Sequence, residues 1–65
     1  MPINDHYIQR TARIYSEIHG EQAVARARER VADLQQRGDP IGADMWLRIT
    51  AAIEKLRRAL GDRQP

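Results

Sequence analysis

Apolar residues recur at helical spacing in three stretches of the chain, and the longest lies between residues 39 and 61. At about 100° per residue, one face of a helix in this stretch collects mostly apolar side chains. These are Gly42, Met45, Trp46, Ile49, Ala52, Ile53, Leu56 and Leu60, flanked by Ile41 and Ala59. So wide a stripe is typical of a helix packed on two neighbours. The pattern predicts a helix over residues 40–60 that organises the fold.

The two ends of this helix are marked by residues with known positional preferences. Asp39 suits the N-cap, where its carboxylate accepts from free backbone N–H groups. Pro40 suits the first helical position, and Gly61 suits the left-handed position after the last turn. Gly42 costs up to ~1 kcal/mol relative to Ala inside a helix. We expect it to allow close approach of another helix or to make room for Trp46.

Two shorter stretches predict helices over residues 6–19 and 22–37, ended by Gly20 and Gly38. The first has a wide apolar face, and the second has a narrow face of small residues. The short links favour neighbouring helices that pack together. The predicted fold is all-α, a single three-helix domain over residues 1–65, with the third helix packed across the other two.

The predicted core draws on all three helices. Its members are Tyr7 or Ile8, Ile14, Tyr15, Ile18, Val24, Ala27, Val31, Leu34, Met45, Trp46, Ile49, Ile53, Leu56 and Leu60. We expect residues 1–4 and 62–65 to fray, because both stretches lie at the ends of the chain and residues 62–65 lack apolar anchors.

Length and composition limit how such a domain is stabilised. A chain of 65 residues has difficulty burying enough apolar surface, and without cysteine it has neither a disulfide nor a thiolate metal site. It must therefore either pack very well or gain buried surface by forming a homo-oligomer.

The sequence offers no catalytic or metal-binding constellation. Ser16 is the only serine, and neither His6 nor His19 has a second ligand at metal-binding spacing. The prediction is a protein without enzymatic activity, cofactor or metal. The N-terminus lacks a signal-peptide pattern, and no apolar run approaches the ~20 residues of a membrane span. We expect a soluble cytoplasmic protein with no membrane partner.

The strongest basic feature is a row on the second helix formed by Arg26, Arg30 and Arg37. Such a row could contact phosphates of a nucleic acid. However, Asp33 lies in the same row and Glu29 is close to Arg26, so the alternative is a partly self-neutralised surface. The net charge of only +2, despite a sequence pI of about 9.7, favours that alternative.

Leu47 and Trp46 are the apolar candidates for a partner contact. Leu47 falls about 150° from the centre of the apolar face, so it is either an ordinary exposed leucine or a contact for a partner. Trp46 is either the main core side chain of an aromatic-poor domain or an anchor for another protein.

The order of several short motifs resembles a group of small uncharacterised helical proteins of alphaproteobacteria. The layout runs over residues 14–56: His19-Gly20-Glu21, Ala23, Ala27, Gly38-Asp39, Gly42, Trp46-Leu47-Arg48-Ile49, Ala52-Ile53 and Leu56. The resemblance implies a helical fold and a bacterial, cytoplasmic setting. It implies no activity and no functional residues.

The leading functional interpretation is a small non-enzymatic protein–protein interaction or regulatory module that self-associates, for example as a homodimer. The alternative is a nucleic-acid-binding protein that uses the arginine row of the second helix. Phosphate binding should weaken steeply with salt, whereas apolar association should not.

Overall fold

The computed structural model describes the backbone of residues 5–62 and the side chains of residues 5–59. Its elements are α1 (Asp5–His19), a 3₁₀ turn (Gly20–Gln22), α2 (Ala23–Gln36) and α3 (Pro40–Asp62). The described residues contain only helices and short turns, and no strand occurs among them, which confirms the all-α class.

The finer prediction of three separate helices is met only in part. The 3₁₀ turn joins α1 to α2 without a non-helical residue, so helical backbone continues from residue 5 to residue 36. The chain bends at Gly20, whose φ of +56° is in the left-handed region that glycine tolerates best. The one non-helical connection in the described chain is residues 37–39, where Gly38 has a φ of +75°. The helix end predicted at Gly20 is therefore only a bend in the helical backbone. The helix end predicted at Gly38 is a real interruption of it.

The third helix is longer than predicted. It was expected to end before Gly61, but α3 continues through this glycine to Asp62. A glycine is tolerated inside a helix at a cost of ~1 kcal/mol, so it marks a helix end only when the following chain turns away. Of the residues predicted to fray, 1–4 and 62–65, only residue 62 is described, as the last residue of α3. The others lie outside the described residues.

Helix α3 packs against both α1 and α2, while α1 and α2 share the smallest helix–helix contact. The central cluster consists of Ile8, Ala12, Ala23, Ala27, Ile49 and Ile53. Three of these six are alanines, and their small side chains let the helix axes approach closely. Ile49 and Ile53 are the largest fully buried side chains among the described residues. As predicted, α3 therefore supplies the centre of the core.

Two side chains predicted for the core of α1 lie at the surface. Ile14 and Ile18 are 49% and 69% exposed. Of the two alternatives Tyr7 and Ile8, Ile8 is buried and Tyr7 is 51% exposed. The physical reason is that α1 has one extensive neighbour. The face with Ile8 and Ala12 meets α3, and the adjoining apolar face receives no second helix because α2 continues away from the bend.

The rest of the predicted core is confirmed in part. Ala27, Val31, Ile49 and Ile53 are buried. The half-buried members are Tyr15, Val24, Leu34, Met45, Trp46 and Leu56. The buried residues that were not predicted are Ala12, Ala23, Ala43 and Thr50. The side chain of Leu60 lies outside the described residues.

Helix α3 begins with the predicted side-chain cap, but Gly42 has a different role from the one expected. The Gly42 N–H donates to Asp39 Oδ1 at 2.9 Å. A Cβ built on Gly42 would lie 2.5 Å from Asp39 Oδ2, which is too close for any real contact. The three heavy atoms nearest to that position all belong to the Asp39 side chain. Gly42 therefore makes room for the cap of its own helix and not for a neighbouring helix or the Trp46 indole.

Polar contacts hold α2 antiparallel to α3. Arg28 Nη2 lies 3.4 Å from Glu54 Oε2, and Arg57 Nη1 donates to the Gly20 carbonyl oxygen at 3.0 Å. The second contact ties the last part of α3 to the bend between α1 and α2. Thr50, the buried polar residue, donates from its hydroxyl to the Trp46 carbonyl oxygen at 2.7 Å, so it has a partner within its own helix.

The cap and the glycine should be energetically coupled. Asp39→Ala should lower the free energy of unfolding by about 1 kcal/mol, because the N-cap acceptor is lost. Gly42→Ala in the native background should be nearly neutral, since a gain in helix propensity of about 1 kcal/mol is offset by displacement of the Asp39 carboxylate. The same Gly42→Ala change in the Asp39→Ala background should stabilise by the full propensity gain. Urea denaturation of the four proteins measures the coupling; strictly additive effects would contradict it.

The contact at the bend should also be measurable. Arg57→Ala should destabilise the protein by about 1 kcal/mol, because a hydrogen bond between two elements is lost. Arg58→Ala is the matched control, since Arg58 is the exposed neighbour and makes no such contact. Thermal unfolding followed by circular dichroism compares the two. Equal effects would show that the Arg57 contact contributes nothing to stability.

Candidate interaction surface

The most extended exposed apolar feature of the described chain is a row on α1 formed by Tyr7, Thr11, Ile14 and Ile18, here called the α1 row. With 3.6 residues per turn these four positions fall within about 60° of the helix circumference. Thr11 is half-buried, and the three larger side chains are between 49% and 69% exposed. Apolar side chains aligned in this way form a continuous surface rather than scattered single contacts.

Charged side chains of opposite sign border one flank of the α1 row. Arg10 and Glu17 are seven residues apart, so they project from the same side of the helix about 10 Å apart along its axis. Both are exposed, and neither forms an ion pair within the part of the chain that the structure describes. This flank can therefore offer one positive and one negative partner to another molecule.

Trp46, one of the sequence-predicted site residues, is half-buried against the core. The Trp46 ring meets the Tyr15 ring edge-on, with ring centroids 5.2 Å apart. The Tyr15 ring in turn lies against the His19 ring, with centroids 4.3 Å apart. The Arg30 guanidinium carbon lies 5.8 Å from the Trp46 ring centroid, within the usual range of a cation–π contact. The indole thus joins α1, α2 and α3. Its packing favours the core interpretation, although its partial exposure leaves an edge accessible.

Leu47 is exposed, as predicted, but it stands alone. Its side chain is 50% exposed, and Ile41, the other large exposed apolar residue of α3, lies six residues away. Six residues correspond to about 240° around a helix, so the two side chains point in different directions. Leu47 belongs to no row comparable with that on α1. A partner contact at Leu47 stays a prediction.

The predicted arginine row is divided by contacts within the chain. Arg37 Nε lies 2.9 Å from Asp33 Oδ2, and Arg30 sits over Trp46. Arg26 is exposed and has no ion-pair partner in the described chain. Two of the three arginines therefore already interact with their own chain, as the self-neutralised interpretation expects.

The surface also carries two open concavities. One, of about 290 Å³, lies between α1 and α3 and is lined by Asp5, Ile8, Gln9, Arg48, Ala51, Ala52 and Lys55. The other, of about 370 Å³, is bordered by His6, Gln9, Arg10, Arg13 and Ile14, all on α1. In the first, Arg48 is held by Asp44 at 3.1 Å and so is already neutralised.

No group of three or more metal-ligating side chains occurs among the described residues. Each buried side-chain nitrogen or oxygen atom in that part of the chain has a hydrogen-bond partner. No described helix is long and apolar enough to cross a membrane.

Comparison with known proteins found no match to this chain among models of protein families, curated proteins or solved structures. The resemblance to small alphaproteobacterial proteins therefore stays a prediction.

The α1 row was missed as a site because periodicity assigned its side chains to the core. The width of the apolar face was the available signal. Tyr7, Ile8, Ala12, Ile14, Tyr15 and Ile18 together cover nearly half of the circumference of α1. An apolar face of that width needs two neighbouring helices to cover it. In this fold α1 has only one extensive neighbour, α3, because α2 continues away from the bend.

Proposed function

We propose that this chain is a small non-enzymatic protein–protein interaction module that self-associates through the α1 row. The observation that carries the proposal is the exposure of Tyr7, Ile14 and Ile18, which are 51%, 49% and 69% exposed along one line of α1. Large apolar side chains aligned at a protein surface mark contact sites more often than single exposed residues do.

The size of the chain supports a second copy as the occupant. The buried core contains four alanines among its eight apolar members, so the isolated chain removes little apolar surface from water. Burial of the α1 row against the same row of another copy would add apolar contacts that the chain cannot make internally. Small domains without disulfides commonly gain stability by oligomerising.

The alternative is nucleic-acid binding through Arg26, Arg30 and Arg37. The support for it is weaker, since only Arg26 of the three has no contact partner within the described chain. The low net charge of +2 also argues against binding to nucleic acid. The proposal therefore places the contact on α1 and treats Leu47 and the edge of Trp46 as secondary candidates.

The proposal includes the organisation and setting of the chain. Helices α1 and α2, joined at the bend, would form a single three-helix domain together with α3. The resemblance of the sequence to small alphaproteobacterial proteins supports a bacterial, cytoplasmic setting.

Charged substitutions in the α1 row test the proposal. Ile14→Glu and Ile18→Glu should each weaken dimerisation on the order of a hundredfold or more. The reason is that a buried aliphatic side chain contributes about 1.5–3 kcal/mol and each occurs twice in a symmetric dimer. Sedimentation velocity over a range of concentrations measures the dissociation constant. Far-ultraviolet circular dichroism should be unchanged, because both side chains are exposed in the single chain.

Ile41→Glu is the matched control for these variants. Ile41 is 79% exposed on α3 and lies outside the α1 row, so the same chemical change there should leave dimerisation intact. If Ile14→Glu and Ile18→Glu behave like Ile41→Glu, the α1 row is not the contact surface.

A further inference from the structure

We propose that two copies of the chain pair through α1 in an antiparallel arrangement about a twofold axis, with Arg10 of each copy beside Glu17 of the other. This inference rests on the proposed self-association and specifies its geometry. It follows from the positions of the apolar and charged side chains along one helix.

The apolar side chains of the α1 row complement themselves when one helix is reversed. The row extends from Tyr7 to Ile18, about 16 Å along the helix axis. A twofold axis midway between Thr11 and Ile14 places Tyr7 opposite Ile18 of the second copy and Thr11 opposite its Ile14. Because a twofold interface is isologous, each of these contacts occurs twice. The large Tyr7 side chain thus meets Ile18, the more exposed isoleucine of the row, and the smaller Thr11 meets Ile14 near its centre.

The charged flank is complementary in the same register. A twofold axis perpendicular to two antiparallel helices brings the same flank of each helix together. Arg10 then lies within two residues of the level of Glu17 in the second copy, an offset of about 3 Å along the axis. Both side chains are long enough to cover this offset, and neither is engaged in an ion pair within its own described chain. Two equivalent ion pairs would form.

The parallel arrangement is disfavoured by the same residues. In a parallel twofold pair the axis runs along the helices, so the flank with Arg10 and Glu17 faces the opposite flank of the second copy and neither charge meets its counterpart. Parallel pairing would also align the dipoles of two neighbouring helices in the same direction. The charge pattern therefore selects the antiparallel register.

Charge reversal tests the pairing. Arg10→Glu and Glu17→Arg should each weaken self-association about tenfold, because both ion pairs of the dimer become repulsive. The double variant should associate as tightly as the native chain. An equimolar mixture of the two single variants should also recover native affinity, since each mixed dimer contains two attractive pairs. Sedimentation velocity of the single, double and mixed samples measures all four dissociation constants.

Matched controls separate the pairing from a change of net charge. Arg26→Glu and Glu29→Arg reverse charges on α2, outside the proposed contact; both side chains are exposed. Neither should alter the dissociation constant as the paired variants do. Circular dichroism verifies that every variant retains its helices.

The outcomes distinguish this inference from the proposed function. If Ile18→Glu abolishes dimerisation while Arg10→Glu and Glu17→Arg leave it unchanged, the α1 row is the interface and the antiparallel pairing is wrong. If the native chain is a monomer throughout the concentration range, both the proposed function and the pairing are wrong.

Discussion

Burial of α1 and α2 depends on a single neighbour, α3. The first two helices are joined at the bend and contact each other less than either contacts α3, so each buries mainly the face that it turns toward α3. Alanines at these faces, including Ala12, Ala23 and Ala27, allow close contact with Ile49 and Ile53. The arrangement buries the centre of the apolar face of α3, at Ile49 and Ile53, and leaves part of the apolar face of α1 without a neighbouring helix. The exposed α1 row is a direct consequence of this imbalance.

The parts of the fold that could be predicted are those set by local physics. The apolar period of α3 identified Ile49 and Ile53 as core residues, and Asp39 followed by Pro40 identified the start of the helix. The positions that could not be predicted depend on which neighbour is present. Periodicity shows that Ile14 and Ile18 share an apolar face, but only the direction of α2 after Gly20 decides whether that face is covered. For Gly42 the relevant residue is visible in the sequence, because Asp39 lies three positions earlier. The sequence alone does not decide whether the glycine makes room for the Asp39 cap or for a neighbouring helix.

Five of the ten arginines have a contact partner within the described part of the chain. Arg28, Arg30, Arg37, Arg48 and Arg57 each meet a carboxylate, an aromatic ring or a backbone carbonyl oxygen. The guanidinium group suits all three kinds of partner because it is planar and carries five donors. A high sequence pI thus coexists with a surface on which much of the positive charge is already engaged. The candidate site is accordingly apolar and on α1, with Arg10 and Glu17 as its charged border.

The measurement that tests this account most directly is the mass of the unmodified chain in solution, by light scattering across a dilution series at low and at high salt. The account predicts a particle of twice the 7.5 kDa chain mass that dissociates on dilution. The dimer should persist at high salt, because apolar burial is not screened as charge–charge contacts are. A monomer at every concentration would contradict the account and would show that 65 residues are stable with the α1 row in water.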